Sequence, residues 1–349
     1  MQPVNYFKKL IIGYSKETNL RNHCASGGLL SSLLAERIKK GVSSGAIVAR
    51  VKIDNCGPSP YSFLALTPDD VFISSGSIYS DFDHIGGIKK ILTDSEGVFD
   101  VVALPCQIRL LRSYLKQNEC FQSKIGLLIG LWCGHATDKM LLSDLLTNWR
   151  VDLGEVESFK YRFGHWRGVT QIQMNNGTAV TKSYSRNYGL YQNMYVDCKK
   201  RCFSCTDHFA ELSDISFGDC WIASEKSSKN KKTIALSMNE AGNNAIQLLE
   251  ESPSVEVEEK DPVLAVQAQK RAIIWHTYSC KARAEIAKIF GLNVQCQLSI
   301  KPRLNDYVSA FMVLFSFRLF NTRARNYLFR LPWWMLFPFM ALQKLMLNK

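Results

Sequence analysis

Two stretches of the chain share one plan, and that plan fixes the fold class. GVFDVVALPCQIRLLRSYL passes from an apolar strand at 98–104 through a turn at Pro105-Cys106 into a helix with Ile108, Leu111 and Leu115 on its apolar side. KIGLLIGLWCGHATDKMLLSDLL repeats it, with a strand at 125–132, the turn Cys133-Gly134-His135 and a helix opened by Thr137 and Asp138. Near-continuous apolar strands alternating with helices belong to an α/β sheet covered on both faces. In such sheets the carboxyl ends of successive strands line the ligand crevice. Cys106 and Cys133 are both expected there, at helix N-termini whose dipoles favour thiolates and anionic ligands. A buried structural thiol explains either one alone, since free cysteine packs as a small apolar residue, but explains the repeated placement less well.

A second group of thiols follows at Cys198, Cys202 and Cys205 in DCKKRCFSC. Thiolates this close can converge on one metal centre, and similar spacings hold iron–sulfur clusters. With His208 they also supply the ligands of a zinc knuckle, so spacing alone does not choose the metal. The pattern Cys198-x3-Cys202-x2-Cys205 is similar to the cluster motif of radical enzymes that use S-adenosylmethionine. Those carry it ahead of their barrel, whereas here most of the strand-rich sequence comes first. Eleven cysteines, an odd number spread among helices and strands, argue for a reducing compartment rather than a disulfide framework.

Upstream, HCASGGLLSSLLAERIKKG sets Ser26-Gly27-Gly28 at the mouth of an amphipathic helix with Leu30, Leu33, Leu34 and Ile38 on one side. Glycines there let a ligand approach the backbone, and the free N–H groups can bind a diphosphate. A plain helix N-cap explains the same residues. Strands are expected at 45–51, 63–66 and 71–74, the last leading into Ser80-Asp81.

Beyond residue 150 the pattern turns β-rich, with strands expected at 156–161, 169–174 and 178–184 and Asn175-Asn176-Gly177 as a hairpin turn. The run 161–168 interleaves Arg162, His165 and Arg167 with aromatics, a pattern that grips an anionic cofactor tail or a sugar, or forms a solvated surface. The polar stretch 224–233 reads as a loop or flap. Helical patterns at 239–249 and 263–290 flank a short strand at 255–258, and His276, Cys280 and Cys296 read as structural. The C-terminal runs YVSAFMVLFSFRLF and LPWWMLFPFMALQKLMLNK are strongly apolar, but Arg318, Arg330, Pro332 and Pro338 deny them the roughly 18 uncharged residues of a membrane span. Trp333 and Trp334, with Arg318, Arg323, Arg325, Arg330, Lys344 and Lys349, suit a seat on an anionic membrane surface. The net charge of +12 agrees in sign, and no nucleic-acid motif accompanies it. Packing against the body or a partner subunit is the alternative. The N-terminal apolar patch Leu10 to Ile12 is too short for a signal-peptide core, so the cytoplasm, or the inner face of the cell membrane, is the expected location.

Five of these segments, in order and over about residues 10 to 225, resemble the beta subunits of coenzyme F420 hydrogenases and dehydrogenases. The family's S-S-G-G stands here as Ala25-Ser26-Gly27-Gly28, its G-T-P-C-Q as Ala103-Leu104-Pro105-Cys106-Gln107, and its C-H-G as Cys133-Gly134-His135. S-C-x-x-C-x-F is matched around Cys202-Phe203-Ser204-Cys205, and S-D-I-x-x-G-D-F-W by Ser213 to Trp221. The resemblance implies a flavoprotein that holds FAD and a [4Fe-4S] cluster, with Cys106, Cys133, Cys202 and Cys205 as cluster ligands. It implies cofactor contacts from Ser26, Gly27, Gly28, Ser80, Asp81, Pro105, Gln107 and Asp219, with His135 a candidate proton donor and Cys198 an extra thiol. Electrons would pass between a reduced carrier, F420 or another, and a substrate in surface polysaccharide biosynthesis. The ferredoxin-like segment common among relatives is expected to be missing, so a separate redox partner is implied. The alternatives are an electron-transfer subunit of a larger complex and a zinc-stabilised binding protein. Departures at Ala103-Leu104, Gly134-His135 and Cys220 lie near the implied site and leave room for a changed cofactor or substrate. The expected plan is mixed α/β: a flavin-binding domain over 1–135, a β-rich and helical domain with the cysteine motif over 136–300, and an amphipathic helical tail over 301–349.

Overall fold

The apolar runs before Cys106 and Cys133 become neighbouring parallel strands in the middle of one large sheet. The computed structural model describes residues 8–165, 167–222, 228 and 230–347. In chain order its strands are β1 (Lys9–Ser15), β2 (Gly45–Asp54), β3 (Gly57–Ala65), β4 (Phe99–Ala103), β5 (Ile125–Leu131), β6 (Val156–Phe163), β7 (Val169–Met174), β8 (Ala179–Ser183), β9 (Ile215–Asp219), β10 (Thr233–Ser237) and β11 (Val255–Lys260). Eight of them form a sheet in the order β11-β1-β10-β9-β5-β4-β2-β3, and β6, β7 and β8 form a small antiparallel sheet. Strands β2, β4, β5 and β9 run parallel, while β3, β10, β1 and β11 join by antiparallel pairing. The sheet is thus a mixed one whose purely parallel centre is buried on both faces, as the strand composition requires.

Helices cover both faces. Leu29 and Leu33 of the helix Leu29–Lys39 pack on Ile129, Ile215 and Ala235 from one side. Ile108 and Leu111 of the helix Pro105–Gln117 pack on Val101 and Leu128 from the other. The large sheet takes strands from either side of residue 135, so the boundary expected there runs through a single hydrogen-bonded layer.

Several local expectations are corrected. Residues 71–74 do not make a strand: they fall in and just after the helix Pro68–Ile73. Thr67 caps that helix by accepting from the Asp70 N–H, Asp70 accepts from Thr67 in return, and Pro68 occupies the first helical position. The helical pattern over 263–290 breaks into Val263–Ala268, Lys270–Ile273, a π-helical turn Ile274–Tyr278 and Cys280–Ile289. The wide turn carries three successive side chains, Ile274, Trp275 and His276, into the interior. Strand β1 was legible only as an apolar patch. Of the expected flap, 224–227 and 229 lie outside the described residues, while Lys231 is buried and Thr233 opens β10.

The C-terminal tail is docked on the body. Val313, Leu314 and Phe317 of the helix Leu304–Phe320 join a cluster with Phe203 and Trp275. Leu336 and Met340 of the helix Trp333–Met346 pack with Tyr191, and Arg325 forks onto Asp197 at 2.6 and 2.7 Å. Phe311, Phe315, Trp334, Met335 and Phe337 stay exposed. Among the described residues no helix is long and apolar enough to cross a membrane.

Candidate functional site

The carboxyl ends of β4, β5, β9 and β1 point to the same edge of the sheet, because β1 runs parallel to β9 with antiparallel β10 between them. That edge gathers most of the chemistry-bearing residues. Cys106 follows β4, Cys133 follows β5, Asp219 ends β9, and the turn Ser26-Gly27-Gly28 folds over the end of β1, where Ser15 N–H donates to the Gly27 carbonyl at 2.8 Å. The segment Cys198–Cys205 crosses the same edge, held by Lys199 N–H to the Ala136 carbonyl at 3.0 Å.

The thiols expected to act together are brought within electrostatic reach of one another. The Cys133 thiol is pushed well above its ordinary pKa by burial, then by Cys202, Cys106 and Cys205. Burial also raises Cys106, which feels Cys202, and lifts Cys205 to about 11, where Cys106 and Cys202 add to the effect. Cys202 behaves oppositely: a hydrogen bond from Cys198 draws it down to about 7, helped by the Ala136 N–H and Arg201. Cys198 is buried and partners Cys202. All these cysteines are free thiols. Among the described residues no three His, Cys, Asp or Glu side chains converge as a site for a single ion. A single zinc would draw its thiolates to about 3.8 Å apart, given Zn–S bonds near 2.3 Å. A cluster of several irons holds its ligands at its corners and needs an all-thiolate set of the kind gathered here.

Cations and imidazoles surround this thiol group. Arg201 forks onto Asp81, with one arm at 2.9 Å, and Lys199 donates to Asp138 at 2.9 Å. Behind the loop, His208 Nδ1 donates to the Cys133 carbonyl at 2.9 Å and His276 Nδ1 to the Cys205 carbonyl at 3.1 Å. Burial pulls His208 down to about 4 and His276 well below its ordinary value, so both rings are neutral. Among the described residues their buried Nε2 atoms find no hydrogen-bond partner. His135 stacks on Tyr195 with ring centroids 4.2 Å apart. Burial draws it to about 4, so at neutral pH the ring is uncharged and keeps a single N–H. Sequence reading set His276 aside as structural and did not single out Arg283, a buried cation that holds the cysteine loop from below. Only their spacing on one helical stretch could have hinted at them.

The expected cofactor residues divide between a cleft and the scaffold. A narrow cleft beside the thiol edge is lined by Ala25, Ser26, Arg162, Asp219, Trp221 and Lys231, among others. It has room for about one water molecule as it stands. Ser26 Oγ meets Thr233 Oγ1 at 2.8 Å, and Arg162 donates to Asp219 at 2.8 Å. Lys231 donates to the carbonyls of Cys24 and Gly164 at 2.6 and 2.8 Å, and burial draws its amine down to about 8. Gly28 has φ +90°, which favours glycine, and precedes the helix Leu29–Lys39. Gly27 serves close packing: a Cβ there would lie 2.5 Å from the Gly13 carbonyl. Ser80 is buried and its hydroxyl meets Tyr161 Oη at 2.6 Å, while Asp81 holds Arg201. Pro105 opens the helix that carries Cys106, and Gln107 caps it by accepting from Leu104 N–H at 2.9 Å. A wider groove of about 530 Å³ lies along Tyr61, Ser62, Phe82 and Lys90, and none of the expected cofactor residues lines it.

Comparison with known proteins places the chain among relatives of the same fold. Residues 10–87 match the family model for the N-terminal part of the coenzyme F420 hydrogenase/dehydrogenase beta subunit, and residues 99–263 match the model for its C-terminal part. The chain is 25% identical over 218 residues to the coenzyme F420 hydrogenase subunit beta of Methanothermobacter thermautotrophicus, covering 61% of this chain and 72% of that one. An uncharacterized protein of Methanocaldococcus jannaschii is 28% identical over 205 residues, 56% of this chain and 52% of its own length. Among solved structures, a chain of the F420-reducing [NiFe] hydrogenase complex from Methanosarcina barkeri superposes with a TM-score of 0.60 at 18% identity, covering 83% of this chain and 96% of that one. At that identity the likeness is one of fold.

Proposed function

Because the chain belongs to the coenzyme F420 hydrogenase/dehydrogenase beta subunit family, we propose that it is an electron-transferring oxidoreductase that uses a [4Fe-4S] cluster and FAD. The observation that carries this reading is that Cys106, Cys133, Cys202 and Cys205, from three separate segments, lie along one strand edge within electrostatic reach of one another. These four thiolates would hold the cluster. Bound there, the cluster supplies one-electron chemistry, with a potential set by charge and hydrogen bonds around it. The residues of the chain then have separable tasks. Arg201, fixed by Asp81, and buried Arg283 offset the charge of the thiolates. His208 and His276 orient the cysteine loops through their carbonyls.

The flavin's diphosphate is proposed to lie at the Ser26-Gly27-Gly28 turn. Support comes from the cationic cleft beside it, lined by Arg162 and Lys231, and from the N–H groups of the helix start. The closed cleft must open to take it. The reduced carrier, F420 or another, and a partner protein would meet the site from outside. A role in surface polysaccharide biosynthesis at the inner membrane face rests on the resemblance and on the exposed aromatic residues of the basic tail.

The testing experiment is an absorption spectrum of anaerobically purified protein, with iron, sulfide, zinc and released flavin measured on the same sample. Flavin bands with a broad visible shoulder and about four irons per chain are expected. A colourless protein holding one zinc would overturn the redox reading in favour of a zinc-stabilised one.

A further inference from the structure

Three cations from distant parts of the chain lie within electrostatic reach of one another, and one of them, Arg167, stands against the Trp221 wall of the cleft. Arg167 follows β6, Arg271 lies in the short helix Lys270–Ile273, and Lys344 belongs to the C-terminal helix Trp333–Met346. Specific contacts hold the segments that carry them. Arg167 and Arg162 each lie 5.4 Å from the Trp221 ring, and Trp221 and Arg162 form part of the cleft wall. Gln269, two residues before Arg271, donates to the Asp219 carbonyl at 2.8 Å, which pins that segment to the cleft. Gln343, next to Lys344, donates to the Asn193 carbonyl at 3.1 Å, which fixes the register of the C-terminal helix.

The three charges repel. Burial, then Arg271 and Arg167, draws the Lys344 amine down to about 8, and burial followed by Arg167 lowers Arg271. Among the described residues no carboxylate forms an ion pair with any of the three. Several buried or half-buried cations elsewhere have anions: Arg37 has Asp100, Arg162 has Asp219, and Arg325 has Asp197 and Asp144, while Lys231 and Arg283 are held by backbone carbonyls instead. Like charges pressed together without a counter-charge cost free energy that an anionic ligand would return. Arg167 and Arg271 keep exposed surface, so the group is open to solvent.

We propose that Arg167, Arg271 and Lys344 form a binding site for the diphosphate group of a ligand that enters the cleft beside Trp221. Two planar guanidinium forks and one ammonium suit several phosphate oxygens at once, which a single carboxylate would not satisfy. Arg271 and Lys344 both lie beyond residue 263, after the stretch matched by the two family models. The site draws one of its cations from the C-terminal helix Trp333–Met346. It does not depend on the redox reading, since it needs no metal or flavin.

The test is titration calorimetry of the full chain with inorganic pyrophosphate at fixed ionic strength, with sulfate as the control anion. Pyrophosphate should bind more tightly than sulfate. Lys344→Gln and Arg271→Gln should each weaken it about tenfold, as loss of one charge-assisted contact does, and Lys344→Arg should restore it. Released flavin should be the same in every variant. A nucleoside diphosphate that binds at least as well as pyrophosphate points to a soluble ligand. Vesicles of anionic phospholipid that bind the wild type but not Lys344→Gln point to a lipid-linked one. The proposal is overturned if pyrophosphate binds no better than sulfate. It also fails if the Gln variants, folded by circular dichroism, bind unchanged, or if they lose flavin in step with pyrophosphate, which would make these cations part of the cofactor site.

Discussion

Arg283 donates to the Cys205 carbonyl at 3.2 Å from a position with no exposed surface. Its other donors reach the Phe203 carbonyl at 2.9 Å and the Trp275 carbonyl, and the guanidinium lies over the Trp275 ring. No carboxylate meets it among the described residues. A guanidinium stays charged in proteins, so burying one without a carboxylate is costly unless something nearby is negative. Cys205, held as a thiolate ligand of the proposed cluster, would answer that need. Arg283→Met should leave three carbonyls unsatisfied and cost about 3 kcal/mol or more. Arg283→Lys keeps the charge. If the thiols hold a cluster, removing the positive charge disfavours its reduced form, so the midpoint potential of Arg283→Met should fall and that of Arg283→Lys should fall less. A redox titration showing equal potentials in folded, cluster-loaded variants would remove Arg283 from the electrostatics of the site.

The thiols themselves make a sharper prediction. Cys106→Ser, Cys133→Ser, Cys202→Ser and Cys205→Ser should each lose most of the iron of anaerobically prepared protein. Cys280→Ser should keep it, because Cys280 is fully buried at the start of its helix and partners Cys296. Cys198→Ser should also keep it, since a hydroxyl can still donate to Cys202. Equal iron in all six proteins would sink the ligand assignment.

How far the sequence revealed this arrangement depends on how local each signal was. The strand and cysteine turn at Ala103 to Cys106 were legible because a mostly apolar run, with Asp100 inside it, ends at a proline that opens a helix. The hairpin β7–β8 was legible from Asn175-Asn176-Gly177. Strand β1 was not, because its few apolar residues gain their meaning only from pairing with β10 and β11 more than 200 positions away. The segment around 71–74 failed because capping by Thr67 and Asp70 outweighed the β-branched residues. For the site, cysteines announce themselves by type and spacing. Arg283, His208 and His276 act through backbone carbonyls of residues about 70 to 80 positions away, a partnership with no signature in the chain. The Ser80-Asp81 match was visible, yet the tie from Asp81 to Arg201 emerges only when the edge is assembled.

Close packing at the centre of the sheet gives a stability test independent of any cofactor. A Cβ on Gly218, in β9, would lie 2.0 Å from the Trp132 ring, whose Nε1 donates to Ser216 Oγ at 3.0 Å. The ring cannot swing away without breaking that bond. Gly218→Ala should destabilise by about 1–3 kcal/mol. Gly134→Ala, where a Cβ meets nothing within 4 Å, should change stability little. Thermal unfolding of the two variants beside the wild type distinguishes them, and equal midpoints would refute the packing argument.

Acid stability should depend on His84, which is remote from the thiols in sequence and buried between two strands. Its Nδ1 meets Ser62 Oγ at 2.8 Å on β3, and its Nε2 meets the Val102 carbonyl at 2.9 Å on β4. Burial holds its pKa below the usual 6.5, although the bond to Val102 and the charge of Asp83 oppose this. The neutral ring is thus favoured by folding. The unfolded chain takes up a proton as pH falls through about 6.5 while the folded chain does not, so the contribution is complete above that pH and is lost below it, down to the folded pKa. A pKa difference of one between the two states is worth about 1.4 kcal/mol. His84→Gln can keep a donor toward Val102 and an acceptor toward Ser62 without titrating. Its unfolding free energy should therefore fall less than that of the wild type between pH 7 and pH 5. Parallel pH profiles for the two proteins in denaturant titrations would show that His84 does not carry this linkage.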